Sequence, residues 1–65
     1  MDDKNSFEIG DRVRINKPTL REHRRIGVVQ YYDFETRWFS VELENGPPWR
    51  GKYEYSELED ARRVE

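Results

Sequence analysis

The chain has no cysteine, one histidine, one methionine, three prolines and four glycines among its 65 residues. Without cysteine there is no disulfide framework, no zinc–thiolate site and no thiol nucleophile. The lone histidine, His23, has no second nitrogen ligand with which to hold a metal. Ser40 and Ser56 have no histidine at a strand spacing that would activate them. The acidic neighbours Asp2-Asp3 and Glu59-Asp60 are adjacent residues whose carboxylates point apart on a strand or tail. No glycine-rich phosphate loop is present, and no apolar run reaches the ~18 residues that a membrane-crossing helix needs. Residues 1–6 are acidic and polar, the opposite of a signal peptide, and read as a disordered tail preceding a single domain over residues 7–65. Hydrophobic residues make up only 34% of the chain. A core drawn from so few residues cannot spare positions for buried catalytic groups. The expectation is a non-enzymatic protein without metal or cofactor, located in the cytoplasm or peripheral to a membrane-bound complex.

What is present is aromatic and charged. Nine aromatic residues each offer a large area for burial, while charged residues make up 40% of the chain and nearly cancel, leaving a net charge of −2. Helical periodicity is weak. Apolar residues instead alternate with polar ones in short runs broken by Gly, Pro, Asn and Asp, which is the pattern of β-strands. Strands are expected over residues 11–16, 26–32, 38–43 and 49–55, a 3₁₀ turn over 56–58, and a last strand over 59–64, with 61–63 also readable as a frayed helical end. Gly27 reads as a point where strands pass closely or bend. The third strand is the clearest, with Phe39, Val41 and Leu43 on one face and Trp38, Ser40 and Glu42 on the other. The expected core is Ile9, Val13, Ile15, Val29, Tyr31, Phe39, Val41, Leu43 and Leu58, joined by one of Tyr53 or Tyr55. Five short strands separated by frequent turns imply an all-β fold, a small antiparallel barrel.

The opening Phe7-Glu8-Ile9-Gly10-Asp11-Arg12-Val13-Arg14-Ile15 resembles the first strand of many SH3-like barrels, and Ile26-Gly27-Val28-Val29 resembles the glycine and valine of a KOW-type element. Tyr55-Ser56-Glu57-Leu58-Glu59 is similar to the ending of the same SH3-like, KOW/Tudor-like fold group. Within it, Val13-Arg14-Ile15, Lys17-Pro18 and Gly27-Val28-Val29 resemble photosystem I reaction-centre subunit IV. Glu44-Asn45-Gly46, Trp49 and Ser56-Glu57-Leu58-Glu59 resemble subunit S of the photosynthetic NADH dehydrogenase-like complex. The chain departs from both at the basic stretch 21–25 and at Pro47-Pro48. The resemblance implies an SH3-like barrel of five short antiparallel strands with one 3₁₀ turn before the last. It also implies a non-catalytic accessory subunit of a larger enzyme complex, often close to a ferredoxin site. Tyr31-Tyr32-Asp33-Phe34-Glu35 resembles the motif that opens signalling SH3 domains, but here a strand and a loop precede it and no paired tryptophans follow.

Charge is sorted along the chain. Residues 10–25 carry six basic side chains against two acidic ones, whereas residues 26–65 carry five basic against nine acidic. Arg12 and Arg14 lie on an expected solvent face, where they would pair with acids such as Glu42 or Glu44. Arg21, His23, Arg24 and Arg25 fall in a loop with one nearby acid, and Tyr32, Phe34, Trp38 and Trp49 are aromatics expected off the core face. These eight residues are the candidate contacts to a protein partner, with arginine gripping carboxylates and aromatics acting as anchors. The expected partner is acidic, ferredoxin-like or a larger complex, and the chain alone is expected to be monomeric. The alternative is a KOW/Tudor-like nucleic-acid- or ribosome-associated module, which the exposed aromatics would suit and the acidic pI near 5.4 would not. Tyr53, Tyr55, Trp49 and Trp38 together could cage a methylated amine, although large aromatics in so small a domain serve first as core and rim.

Overall fold

A computed structural model describes residues 7–46 and 48–61. Its elements are β1 (Arg12–Ile15), β2 (Ile26–Asp33), β3 (Trp38–Leu43), β4 (Arg50–Glu54), a 3₁₀ turn (Tyr55–Glu57) and β5 (Leu58–Asp60). All five strands join one antiparallel sheet in the order β4-β3-β2-β1-β5. The protein is all-β, a compact barrel-like fold with its single 3₁₀ turn immediately before the last strand.

β3 spans the residues its alternation predicts, and Phe39, Val41 and Leu43 face the core while Trp38, Ser40 and Glu42 face outward. Gly27 lies between β1 and β3, opposite Val13 and Leu43. A Cβ there would stand 2.6 Å from Val41 Cγ1 and 2.8 Å from the Glu42 carbonyl oxygen, so only glycine lets the strands approach this closely. The core consists of Phe7, Val13, Ile15, Val29, Phe39, Val41, Leu43, Tyr53 and Leu58, with Leu20 and Tyr32 packed against it. Of the two alternative tyrosines, Tyr53 is the buried one, and Tyr55 stays at the surface against the Phe7 ring.

Two expected core residues are corrected. Tyr31 is exposed because β2 carries a bulge. Val29 pairs with Val41 but Tyr31 pairs with Ser40, so Gln30 is an extra residue on β2. One extra residue inverts the alternation, and Tyr32 rather than Tyr31 then turns inward, opposite Phe39 with ring centroids 4.6 Å apart. Tyr32 is accordingly half-buried against the core rather than off it. Ile9 is 69% exposed because it sits at the corner of a turn closed by the Asp11 N–H donating to the Glu8 carbonyl. Phe7, just before that turn, fills the space instead, edge-on to Phe39 at 5.8 Å.

The strand ends also differ from expectation. The 3₁₀ turn begins one residue earlier than expected because Leu58 is drawn into the sheet opposite Ile15 and buried. The turn is braced by the Glu54 N–H donating to Glu57 Oε1 at 3.0 Å, while Lys17 Nζ bonds Glu57 Oε2 at 2.5 Å. The last strand therefore runs Leu58–Asp60. Ala61 continues the pairing through its N–H to the Arg12 carbonyl, and residues 62–65, like the tail 1–6, lie outside the described residues.

Candidate functional site

The long connection between β1 and β2 is wound, not extended. Leu20 N–H donates to the Lys17 carbonyl, His23 N–H to Leu20, and Arg25 N–H to Glu22. Its base is clamped on Ile15, whose carbonyl accepts from Arg24 N–H at 2.6 Å and whose N–H donates to the Arg25 carbonyl at 2.9 Å. Inside the loop, the Lys17 N–H donates to His23 Nδ1 at 3.0 Å, so the half-buried histidine braces the loop's start.

This winding sorts the basic side chains into two groups. Arg21, Glu22 and Arg25 line a cleft of about 420 Å³ together with Leu43, Pro48 and Trp49. His23 and Arg24 line a second cavity, with Arg14 and Glu59 among its other walls. The sequence places all four loop residues in one patch; the structure brings Arg21 and Arg25 to Trp49 and turns His23 and Arg24 elsewhere.

The cleft is built on a hydrogen-bonded chain. Trp49 Nε1–H donates to the Tyr53 hydroxyl at 3.2 Å, and that hydroxyl donates to Glu22 Oε2 at 2.7 Å. Burial pushes the Tyr53 hydroxyl up to about 12; the Trp49 bond acts against this, and the bond to Glu22 with its negative charge adds to it. Gly51 makes room for this hydroxyl, since a Cβ there would lie 2.6 Å from Tyr53 Oη. Leu43, buried at the end of β3, supplies the floor, and its N–H donates to the Trp49 carbonyl at 3.0 Å. The Arg25 guanidinium donates to the Asn45 carbonyl, a neutral acceptor that holds the side chain without cancelling its charge. Arg21 forms no ion pair with any described residue. The result is an apolar floor and an indole wall facing two guanidiniums.

The remaining candidates lie at the other end of β3. Trp38 opens that strand, paired across to Asp33 on β2 and Glu54 on β4. Phe34 is 84% exposed on the β2–β3 turn and meets Tyr32 edge-on at 5.0 Å. Trp38 and Trp49 are thus at opposite ends of β3, and Tyr53 is buried, so the four rings considered as an amine cage do not enclose one site. Arg12 pairs with Glu44 at 2.7 Å as its strand position suggests, Arg14 lies 3.9 Å from Glu59, and Glu42 is taken by Arg50.

Glu22, Leu43 and Pro48 were not site candidates from the sequence, and Tyr53 was one only as a ring of the amine cage. The contact between Glu22 and Tyr53 joins residues 31 apart and leaves no local trace. A local signal did exist at β4: Gly51 and Tyr53 share one of its faces, and a glycine two residues from an aromatic on either side marks a place where a ring lies over backbone. Among the described residues no helix is long and apolar enough to cross a membrane, and no group of three or more His, Cys, Asp or Glu side chains could hold a metal ion. In comparisons with known proteins, no family model and no curated protein matches the chain.

Proposed function

We propose that the chain is a non-catalytic protein-binding module, an accessory subunit of a larger complex, that docks an acidic partner in the cleft between the 17–25 loop and Trp49. The observation that carries this reading is the pairing of Arg21 and Arg25 with an apolar floor and a half-exposed indole. An acidic side chain beside an apolar one on the partner would find both its charge and its hydrocarbon matched there. Tryptophan and arginine are the residues that most often dominate binding energy when they flank one depression. The Trp49–Tyr53–Glu22 chain holds the indole in place before binding, which reduces the ordering cost of association.

The strand order and the 3₁₀ turn before β5 support reading the fold as an SH3-like barrel. The resemblance to photosynthetic accessory subunits favours a ferredoxin-like protein or a larger enzyme complex as that acidic partner. Nucleic acid fits less well. The most exposed aromatic, Phe34, and Trp38 sit beside Asp33, Glu35 and Glu54, at the far end of β3 from Arg21 and Arg25. Of the exposed tryptophans and Phe34, only Trp49 stands beside these cations, so a nucleic-acid strand would find a single stacking ring there and the other two among carboxylates.

The test is affinity capture from the native cell with the wild-type chain and with Arg21→Glu/Arg25→Glu, after amide spectra show that both are folded. The reading predicts that the double reversal loses the acidic proteins the wild type retains. Retention of the same proteins by both would show that the cleft is not the docking site.

A further inference from the structure

We infer that the cavity between β1 and the 17–25 loop is a phosphoryl-binding site, in which Arg14, His23 and Arg24 hold the oxygens of a phosphate monoester or of inorganic phosphate. The cavity measures about 240 Å³ and is lined by Arg14, Asn16, Pro18, His23, Arg24 and Glu59. It shares no lining residue with the Trp49 cleft, so the inference does not depend on the docking proposal.

Three observations converge on it. First, Arg24 has φ +75°, a left-handed conformation that a bulky L residue rarely takes. Its N–H is bonded to the Ile15 carbonyl, and the next residue's carbonyl accepts from the Ile15 N–H, so the backbone is held in that conformation from both sides. Arg37 in the β2–β3 turn is also left-handed, at φ +64°, so the conformation alone does not mark a site; at Arg24 it coincides with the wall of a cavity, and such strain clusters at ligand clamps. Second, His23 Nδ1 accepts the Lys17 N–H, which places the ring proton on Nε2 and fixes the ring's orientation. Nε2–H then remains a donor for which no described residue supplies an acceptor. Third, Arg14 is held only loosely, 3.9 Å from Glu59, and an anion with more oxygens can draw it away.

The donor set decides the ligand class. Two guanidiniums, an imidazole N–H and the Asn16 amide offer more hydrogen bonds than the two oxygens of a carboxylate can use. The three terminal oxygens of a phosphoryl group can use them, and arginine forks match their geometry. Glu59 is the single carboxylate in the wall, and it opposes anion entry.

The experiment is a ¹⁵N-detected NMR titration of the full chain with sodium phosphate, O-phosphoserine and, as control, acetate, all at one ionic strength. Phosphate and O-phosphoserine should produce saturable shifts at Asn16, His23 and Arg24, and acetate should not. Tighter binding of O-phosphoserine would assign the site to a monoester, and equal binding to inorganic phosphate. Arg24→Asn suits the left-handed backbone and removes the cation, and should weaken phosphate binding at least tenfold. Arg14→Gln, on the β1 surface, should act in the same direction if the Arg24 variant does not fold. Glu59→Gln should tighten binding several-fold. Arg21→Gln, in the docking cleft, should leave the titration within about twofold of wild type, which separates this site from the cleft. Shifts that follow ionic strength whatever the anion, or unchanged affinity in a folded Arg24→Asn or Arg14→Gln chain, would overturn the inference.

Discussion

The two tryptophans mark two ends of the same strand and are almost equally exposed, 40% for Trp38 and 48% for Trp49. Their surroundings differ. Trp49 is hydrogen-bonded through Tyr53 to Glu22 and faces Arg21 and Arg25 across an apolar floor. Trp38 lies on the open face of the sheet between Asp33 and Glu54, with no hydrogen bond from its indole to a described residue. Exposure alone therefore does not distinguish the two rings. What separates them is whether the ring is held by half-buried hydrogen bonds and lines a concave wall of opposite character.

The largest expected effect tests that distinction by binding. Trp49→Ala should weaken partner affinity by about 2 kcal/mol or more, the size of a central anchor, whereas Trp38→Ala should change it by less than about 1 kcal/mol. Titration calorimetry on the partner recovered by capture reads both. Equal losses at the two positions would break the comparison.

Next in size is the support beneath Trp49. Gly51→Ala places a methyl group 2.6 Å from the Tyr53 hydroxyl, so the ring must move and both of its hydrogen bonds suffer. Overpacking of this kind costs about 1–3 kcal/mol. Ser40→Ala, on the open face beside Tyr31, should stay within about 0.5 kcal/mol of wild type. Urea denaturation of the two variants sharpens the contrast between a supported ring and an unsupported one.

A smaller effect appears in alkali. The Tyr53 hydroxyl is raised from 10.0 to about 12 in the folded state, chiefly by burial. A raised group contributes stability that is complete below its unfolded value and is lost as pH rises. The Tyr53 share should therefore decline between pH 10 and 12, and Tyr53→Phe should lack that decline. Lys17, raised above 10.5 foremost by its hydrogen bond to Glu57, loses its own share over a neighbouring range in both chains. The difference between wild type and Tyr53→Phe thus isolates the tyrosine.

The smallest effect is in acid, at the 3₁₀ turn, whose Glu57 does not line the cleft. Burial acts to raise the Glu57 carboxyl, but the Lys17 hydrogen bond, the Glu54 N–H and the Lys17 charge outweigh it and hold Glu57 below 4.5. A lowered group contributes stability present above its unfolded value and lost as pH falls through the folded one. Glu57→Gln should flatten the acid limb of a pH–stability curve below about pH 4.5 and leave the cleft's affinity unchanged. A change in affinity would mean that the 3₁₀ turn and the cleft are coupled.

The parts of the fold that were legible in the sequence are those fixed by local alternation. β3 is flanked by turn residues and alternates without interruption, so its bounds and both its faces follow from the letters alone. Tyr31 could not be placed this way, because the bulge at Gln30 is a property of how β2 pairs with β3 and not of β2 itself. Ile9 and Phe7 have the same parity and both are apolar. Only the turn at residues 8–11 decides that Phe7 enters the core. In the candidate site, the charge block and the aromatics pointed to Arg21, Arg25 and Trp49, but composition cannot say which arginines of a wound loop share a face. Successive turns within residues 17–25 make that division, and they send Arg24 away from Arg25. The contact between Glu22 and Tyr53 was invisible for the reason that makes it effective: it ties the loop to a distant strand.

The most direct measurement uses the two indole N–H signals that the two tryptophans give in a ¹H–¹⁵N spectrum, assigned with Trp49→Phe and followed while the captured acidic partner is added. The account predicts that the Trp49 indole signal shifts or broadens with the Arg21 and Arg25 side-chain signals while Trp38 stays in place. Movement of Trp38 with Trp49 unmoved would contradict it.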